Sequence, residues 1–232
     1  MPSLFAQSEL WDLIDKVEKG QRLDVDEGLR LIKSQEILTL GYMANLVRER
    51  KNGNQTYFIV NRPINYADIS ASFEETEKHS MATIVYGNQD SLEERITRLV
   101  ELRTTQEQNN EYLTFSPIPF LSKDEKLEGT MGVVNTTGYD DLKMLAISRI
   151  LLDNFAHIKA FWFLLGPKLA QVSLSFGVDD LDGTVLEGPS SSMPGTESNR
   201  MLSKRALIHL IQKAGRDAVE RDILHSPSYP QQ

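Results

Sequence analysis

Three aspartates crowd into four positions, Asp179, Asp180 and Asp182, and Gly183 follows them. Carboxylates placed this way can accept from the hydroxyl or amine groups of a ligand, and they can hold a hard cation. The run lacks the spacing of a calcium-binding loop, so a cation site is not expected. The competing explanation is local. Asp and Gly favour turns for backbone reasons, and the run stands where a helix should give way to a strand. Tyr86, Gly87 and Asn88 form a second candidate. They end a strand-like run, and in parallel α/β architectures the carboxyl ends of strands line the binding crevice. The alternative is that Tyr86 packs in the core, as aromatic rings often do.

Other chemistries find no support. The chain has no cysteine, which excludes disulfides, cysteine nucleophiles, thiolate metal sites and cysteine-bound iron–sulfur clusters. His79, His157, His209 and His225 contain no i, i+4 pair, so no helical zinc motif is present. There is no G-x-G-x-x-G, no P-loop and no G-x-S-x-G elbow. A net charge of −8 argues against nucleic acid or an anionic membrane as partner. The longest apolar run, Ile158–Gly166, is far short of the roughly 18 residues of a membrane span and contains Lys159. It reads as a buried parallel strand. The opening MPSLFAQSELWDL has no basic region ahead of an apolar one, so a cytoplasmic location is the expectation.

The elements that must position these residues follow from periodicity. Leu10, Leu13, Ile14 and Val17 mark one helix face, and Gly20 stops it. Asp24 with Glu27 predicts a capped second helix, and Leu40, Met43, Leu46 and Val47 a third. Thr56–Val60 reads as a strand, and Ile64–Ile69 as another. After Met81 strands and helices alternate. Strands are expected at Ala82–Tyr86, Tyr112–Phe115 (ended by Pro117 and Pro119), Ile158–Leu164, Thr184–Leu186 and Ala218–Arg221. Helices are expected after Ser91, Asp140, Gly166 and Ser203. Repeated strand–helix units imply parallel strands with helical crossovers. A complete eight-unit barrel needs about 250 residues. The expected fold is therefore α/β, an incomplete or shortened TIM-type barrel behind an N-terminal helical subdomain. Its expected divisions are a helical 1–54, a partial barrel over 55–225 and a disordered tail at 226–232.

Three segments carry a resemblance: NRPINYADIS at 61–70, ATIVYGNQDSLEERITRLVELR at 82–103, and the long run from Thr136 to Glu187 that contains HIKAFWFLLGPKLAQ and DDLDGT. Together with LSKRALIHLIQKAGRDAVERD at 202–222 they resemble aminodeoxyfutalosine synthase, a radical S-adenosylmethionine enzyme of menaquinone biosynthesis by the futalosine route. The resemblance implies a transferase using a 4Fe–4S cluster and S-adenosylmethionine. It also implies three cysteines, C-x-x-x-C-x-x-C, directly after the INYADIS strand. Here Ser70 stands where the first belongs, and the other two have no counterpart. The match resumes near Met81, so the cluster loop and several barrel strands are missing. Pro63 and Asn88 stand where the family usually has histidine, and Ser190–Met193 where a further histidine is expected.

These departures shape the expectation. No cofactor is expected on this chain, and radical chemistry by it alone is not. Asn65, Tyr66 and Ser70 on the first strand, with Tyr86, Gly87, Asn88, Asp179, Asp180 and Asp182, are the candidates for contacts to a nucleoside-like or aromatic carboxylate ligand. The rival reading is an interaction protein. In it, sheet edges left open by the missing strands pair with another copy or with a full-length homologue. A third is a deletion fragment without function.

Overall fold

The computed structural model describes residues 5–60, 80–88, 90–122, 133–134, 136–183, 185–186 and 202–222. Three helices come first: α1 (Trp11–Glu18), α2 (Val25–Lys33) and α3 (Ile37–Asn52). The capping box expected at α2 is present, since Asp24 accepts from the Glu27 N–H while Glu27 accepts from the Asp24 N–H. The helices bury Leu13, Ile14, Val17, Leu31, Leu40 and Met43 completely or almost so. Their apolar faces do not close on one another alone. α3 packs along α5 (Gly138–Leu151) and α2 against α4 (Leu92–Asn109).

The sheet follows. Its strands are β1 (Gln55–Phe58), β2 (Met81–Tyr86), β3 (Thr114–Pro119), β6 (His157–Phe161), β7 (Asp180–Asp182) and β10 (Asp217–Glu220). All pairings between them are parallel, in the order β10-β1-β7-β6-β3-β2. Successive strands β2, β3, β6 and β7 lie side by side and are joined through α4, α5 and α7 (Pro167–Ser173), the winding of a β/α barrel. β1 lies between β7 and β10. Among the described residues the sheet stays open between β10 and β2, so the expected incomplete parallel barrel is what forms. Two-residue pairings, β4 (Leu121–Ser122) with β5 (Val133–Val134) and β8 (Val185–Leu186) with β9 (Leu202–Ser203), complete the strands. The last helix, α8 (Lys204–Lys213), is capped by Ser203 as expected.

Alternation gives the sheet two faces. Phe58, Leu181, Ile158, Ala160, Phe115, Ala82 and Ile84 turn toward the helices and are buried. Tyr57, Asp180, Asp182, His157, Lys159, Phe161, Thr114 and Ser116 take the opposite, inner face.

Several elements depart from the periodicity reading. β3 does not stop at Phe115 but runs through both prolines. It pairs with β2 along its whole length, yet with β6 only through Thr114 and Phe115. The missing proline N–H groups fall where the β6 ladder has already ended. There the Ser116 hydroxyl donates to the Lys159 carbonyl at 3.1 Å. β6 ends at Phe161, and Trp162–Leu165 turn into a short helix, α6. The ladder with its neighbour β7 ends at the Phe161–Asp182 pair. The α5 cap is Thr137, with Asp140 as its reciprocal acidic partner rather than as the cap. Asp180–Asp182 is a strand, not a turn. The expected strand Ile64–Ile69 lies outside the described residues.

Candidate functional site

β6 and β7 place charge on the inner face by register alone. Lys159 pairs with Asp180, and Phe161 with Asp182. The Lys159 ammonium is 3.0 Å from Asp182 Oδ2 and 3.7 Å from Asp180 Oδ2. Arg221, directly after β10, forks onto Asp180, Nε to Oδ1 at 3.0 Å and an Nη to Oδ2 at 2.7 Å. Its second contact, to Asp182, is 3.7 Å. These four side chains are at most 1 % exposed, so two cations and two carboxylates balance inside the protein. Burial of an ion pair is tolerable only when both partners are present and the remaining lone pairs are met. Tyr57, opposite Asp180 on β1, has its phenol raised by burial and by the charges of Asp179 and Asp180.

This quartet extends to the carboxyl ends of β6, β7 and β10, where β/α proteins build their sites. Trp162 and Gly183 lie just beyond. The indole is wholly buried against the glycine, and a Cβ on Gly183 would fall 2.1 Å from Trp162 Nε1. That indole N–H has no acceptor among the described residues.

Asp179 belongs to another place. It turns toward the helices at the amino end of the sheet. There its carboxylate holds the Arg149 guanidinium, the His157 Nδ1 at 2.6 Å and the Ile158 N–H at 2.8 Å. Arg149 also donates to the Gly177 carbonyl at 2.9 Å. Gly177 has φ +91°, and a Cβ there would lie 2.5 Å from Arg149 Cβ, so only glycine lets the chain pass. Arg48 ties the same corner together through the carbonyls of Val178, Gly53 and Gln55 and the Thr56 hydroxyl. Burial, with Arg216 next in effect, brings the Arg48 guanidinium down to about 10. Burial likewise lowers Arg149, against the pull of Asp179.

Tyr86 also faces the helices. Its hydroxyl donates to Asp141 Oδ1 at 2.7 Å, and Thr136 donates to the same oxygen at 2.7 Å. Burial, then the Asp141 charge, raises the phenol well above its usual value, and burial raises Asp141. The N–H groups of Gly87 and Asn88 both donate to Asp90 Oδ1, at 2.9 and 3.1 Å. Those donors are therefore occupied by the protein itself. Asn88 lines a separate open cleft of about 770 Å³ beside β2.

Of the sequence candidates, Asp180 and Asp182 thus come together. Asp179 sits at the opposite end of the strand, and Tyr86, Gly87 and Asn88 lie at the end of β2, three strands away. Asn65, Tyr66 and Ser70 lie outside the described residues. Reading the sequence missed Lys159 and Arg221. Their signal was present, since a lysine inside IKAFWFL needs a buried counter-charge and DDLD is the acidic run that can supply it.

The donor set does not suit an iron–sulfur cluster. The chain holds no thiolate, and no group of three His, Cys, Asp or Glu among the described residues is placed to hold a metal. No described helix is long and apolar enough to cross a membrane.

Comparison with known proteins gives these features a context. The methylornithine synthase PylB matches in fold with a TM-score of 0.63 at 14% identity, over 89% of this chain and 97% of that one. The FeFe-hydrogenase maturase HydG from Carboxydothermus hydrogenoformans matches with 0.61 at 11% identity, over 94% of this chain and 81% of that one. In sequence, the aminodeoxyfutalosine synthase of Thermus thermophilus is 43% identical over 145 residues, 62% of this chain and 39% of that protein. The 5-amino-6-(D-ribitylamino)uracil–L-tyrosine 4-hydroxyphenyl transferase of Archaeoglobus fulgidus is 38% identical over 146 residues, 62% of this chain and 42% of its own length. The chain thus spans about two fifths of the length of these curated relatives. Residues 109–229, more than half of it, match the CofH/MqnC C-terminal region, which carries β3, β6, β7, β10 and the whole inner-face quartet; the chain belongs to that family.

Proposed function

We propose that this chain is a shortened, cluster-free relative of aminodeoxyfutalosine synthase. It does not run radical S-adenosylmethionine chemistry by itself, and it retains a pocket for a nucleoside-like or aromatic carboxylate ligand. Three things support the reading. The relatives' names carry aminodeoxyfutalosine, a ribitylaminouracil and L-tyrosine. The absence of cysteine removes the thiolates that a 4Fe–4S cluster needs. The observation that carries the ligand half is the quartet of Lys159, Asp180, Asp182 and Arg221 on the inner face. A ribose diol donates to Asp182, a carboxylate accepts from Arg221, and the indole N–H of Trp162, which has no acceptor among the described residues, offers one more donor at the same end. Each contact exchanges for one that the quartet already makes, so specificity comes from matching both charges at once.

The test is a thermal melt of the purified chain with and without S-adenosylmethionine, aminodeoxyfutalosine and 4-hydroxybenzoate. A ligand that binds only the folded state stabilises it by about 2.7 kcal/mol at a hundred times its dissociation constant. For a chain of this size that is a rise of roughly 5–10 °C. The proposal expects such a rise with one of the three and its loss in Asp182→Asn. A cooperative melt indifferent to all of them overturns the ligand half. Anaerobic reconstitution with iron and sulfide checks the other half, and a stable brown species with cleavage of S-adenosylmethionine overturns it.

A further inference from the structure

The two edges of the sheet are built differently. β10 carries Asp217 and Glu220 and runs into Arg221, and Glu220 is held by Lys204 of α8. Charge of this kind discourages edge-to-edge pairing. β2, sequence MATIVY, has no charge, no proline and no bulge. Its direction of pairing is fixed. The Tyr86 carbonyl accepts from the Phe120 N–H and the Ser80 carbonyl from the Leu113 N–H, both at 2.7 Å, so even-numbered residues bond toward β3. Alternation turns the N–H and C=O groups of Thr83 and Val85 the other way, and they have no partner among the described residues. Thr83 is exposed, and Val85 is 48 % exposed.

The cleft beside this edge is the second observation. It holds about 770 Å³ and is lined by Val85, Asn88, Glu93, Glu94, Arg98 and Phe120, so both signs of charge lie along one wall. Arg98 Nε is buried there without an acceptor among the described residues, although an Nη reaches Asp90 at 3.3 Å. On the same wall Glu93 pairs with Lys33 at 2.8 Å and Glu94 accepts from the Ser91 N–H at 2.7 Å, so each keeps one carboxylate oxygen to offer the Arg98 of a second copy across a two-fold axis.

We infer that β2 is a self-association edge, at which two copies of this chain join their sheets antiparallel about a two-fold axis. Thr83 of one copy then lies opposite Val85 of the other, and each pair exchanges both backbone hydrogen bonds. The α4 helices run antiparallel beside the axis, which brings Glu93 and Glu94 of one copy toward Arg98 of the other. The same patch serves both copies, so the contact closes at two and leaves the guarded β10 edges outermost. This rests on the edge geometry and is independent of the ligand reading above.

Sedimentation equilibrium over a concentration series, on the wild-type chain and Val85→Lys, tests it. The expected result is a discrete dimer whose dissociation constant rises at least about tenfold in Val85→Lys while the melting temperature of the monomer is unchanged. Because the chain has no cysteine, Val85→Cys provides a unique thiol, and a short bismaleimide should trap it as a covalent dimer. Val172→Cys, equally exposed at 45 % but on α7, should stay monomeric under the same treatment. A monomer at every soluble concentration overturns the inference. So does a dimer indifferent to Val85→Lys, a ladder of higher aggregates, or a chain that pairs only when a full-length relative is added.

Discussion

Asp179 and Asp182 are three positions apart and serve opposite ends of the sheet. At the amino end, Asp179 is clamped by a guanidinium, an imidazole and a backbone N–H, and Arg48 and Arg149 cap the carbonyls around it. Every group there has a fixed partner. At the carboxyl end, Asp182 shares Lys159 and Arg221 with Asp180 at distances from 2.7 to 3.7 Å, beside an indole N–H with no described acceptor. The first arrangement is closed and holds the fold. The second is a network in which each of two carboxylates is shared between two cations. Strand alternation sends the neighbours Asp179 and Asp180 to opposite faces, and position along the strand puts Asp179 at one end and Asp182 at the other.

The largest effect should come from breaking the closed end. Asp179→Asn leaves the wholly buried Arg149 without its counter-charge, and removing one partner of a buried pair costs about 3–5 kcal/mol. Asp182→Asn leaves Lys159 with Asp180 and keeps a polar atom in place, so the loss should be nearer 1–3 kcal/mol. Urea titrations of both variants compare the two ends directly. Equal losses would erase the distinction drawn here. Gly183→Ala sharpens it at the carboxyl end, since its Cβ must displace Trp162. Overpacking of this kind costs about 1–3 kcal/mol. The near-ultraviolet dichroism of the indole should change, and any ligand-induced rise in melting temperature should shrink with it.

How much of this was legible beforehand depends on what each residue answers to. Helix caps at Asp24, Ser91 and Ser203 are local chemistry, and periodicity with capping finds them. The apolar strands β2 and β6 were legible for the same reason. β7 was not, because Asp-Leu-Asp has poor strand propensity and pairs as a strand between β1 and β6, its charges met by Lys159 and Arg221, 20 and more residues away in the chain. Pro117 and Pro119 misled in the opposite direction. Their missing N–H groups matter only if a neighbour is there to accept them, and β6 has already stopped. The site suffered most. Its composition could be guessed from DDLD, but the division of that run between two ends of a sheet depends on register, which no single segment encodes.

The smallest predicted effect separates two carboxylates in the corner where β2 ends. Burial raises Asp141, despite the Thr136 and Tyr86 hydroxyls that favour its charge. Burial would also raise Asp90, but Arg95 and the Gly87 N–H outweigh it and hold that carboxyl below its usual value. The signs then differ. A carboxyl raised on folding binds its proton more tightly in the folded chain, so its contribution is present at low pH and is lost as pH rises through the folded value. A carboxyl lowered on folding contributes above the unfolded value, about 4, and loses that contribution as pH falls through the folded one. Asp141→Asn keeps an oxygen for both hydroxyls and removes the buried charge. It should raise the melting temperature at neutral pH, with the gain fading toward pH 4. Asp90→Asn should lower it at neutral pH, with the loss fading below about 4. Melting curves of the three proteins between acid and neutral pH decide the matter. If Asp141→Asn instead loses stability at neutral pH, the two hydroxyl donors outweigh burial, and Asp141 is held as an anion by its hydrogen bonds.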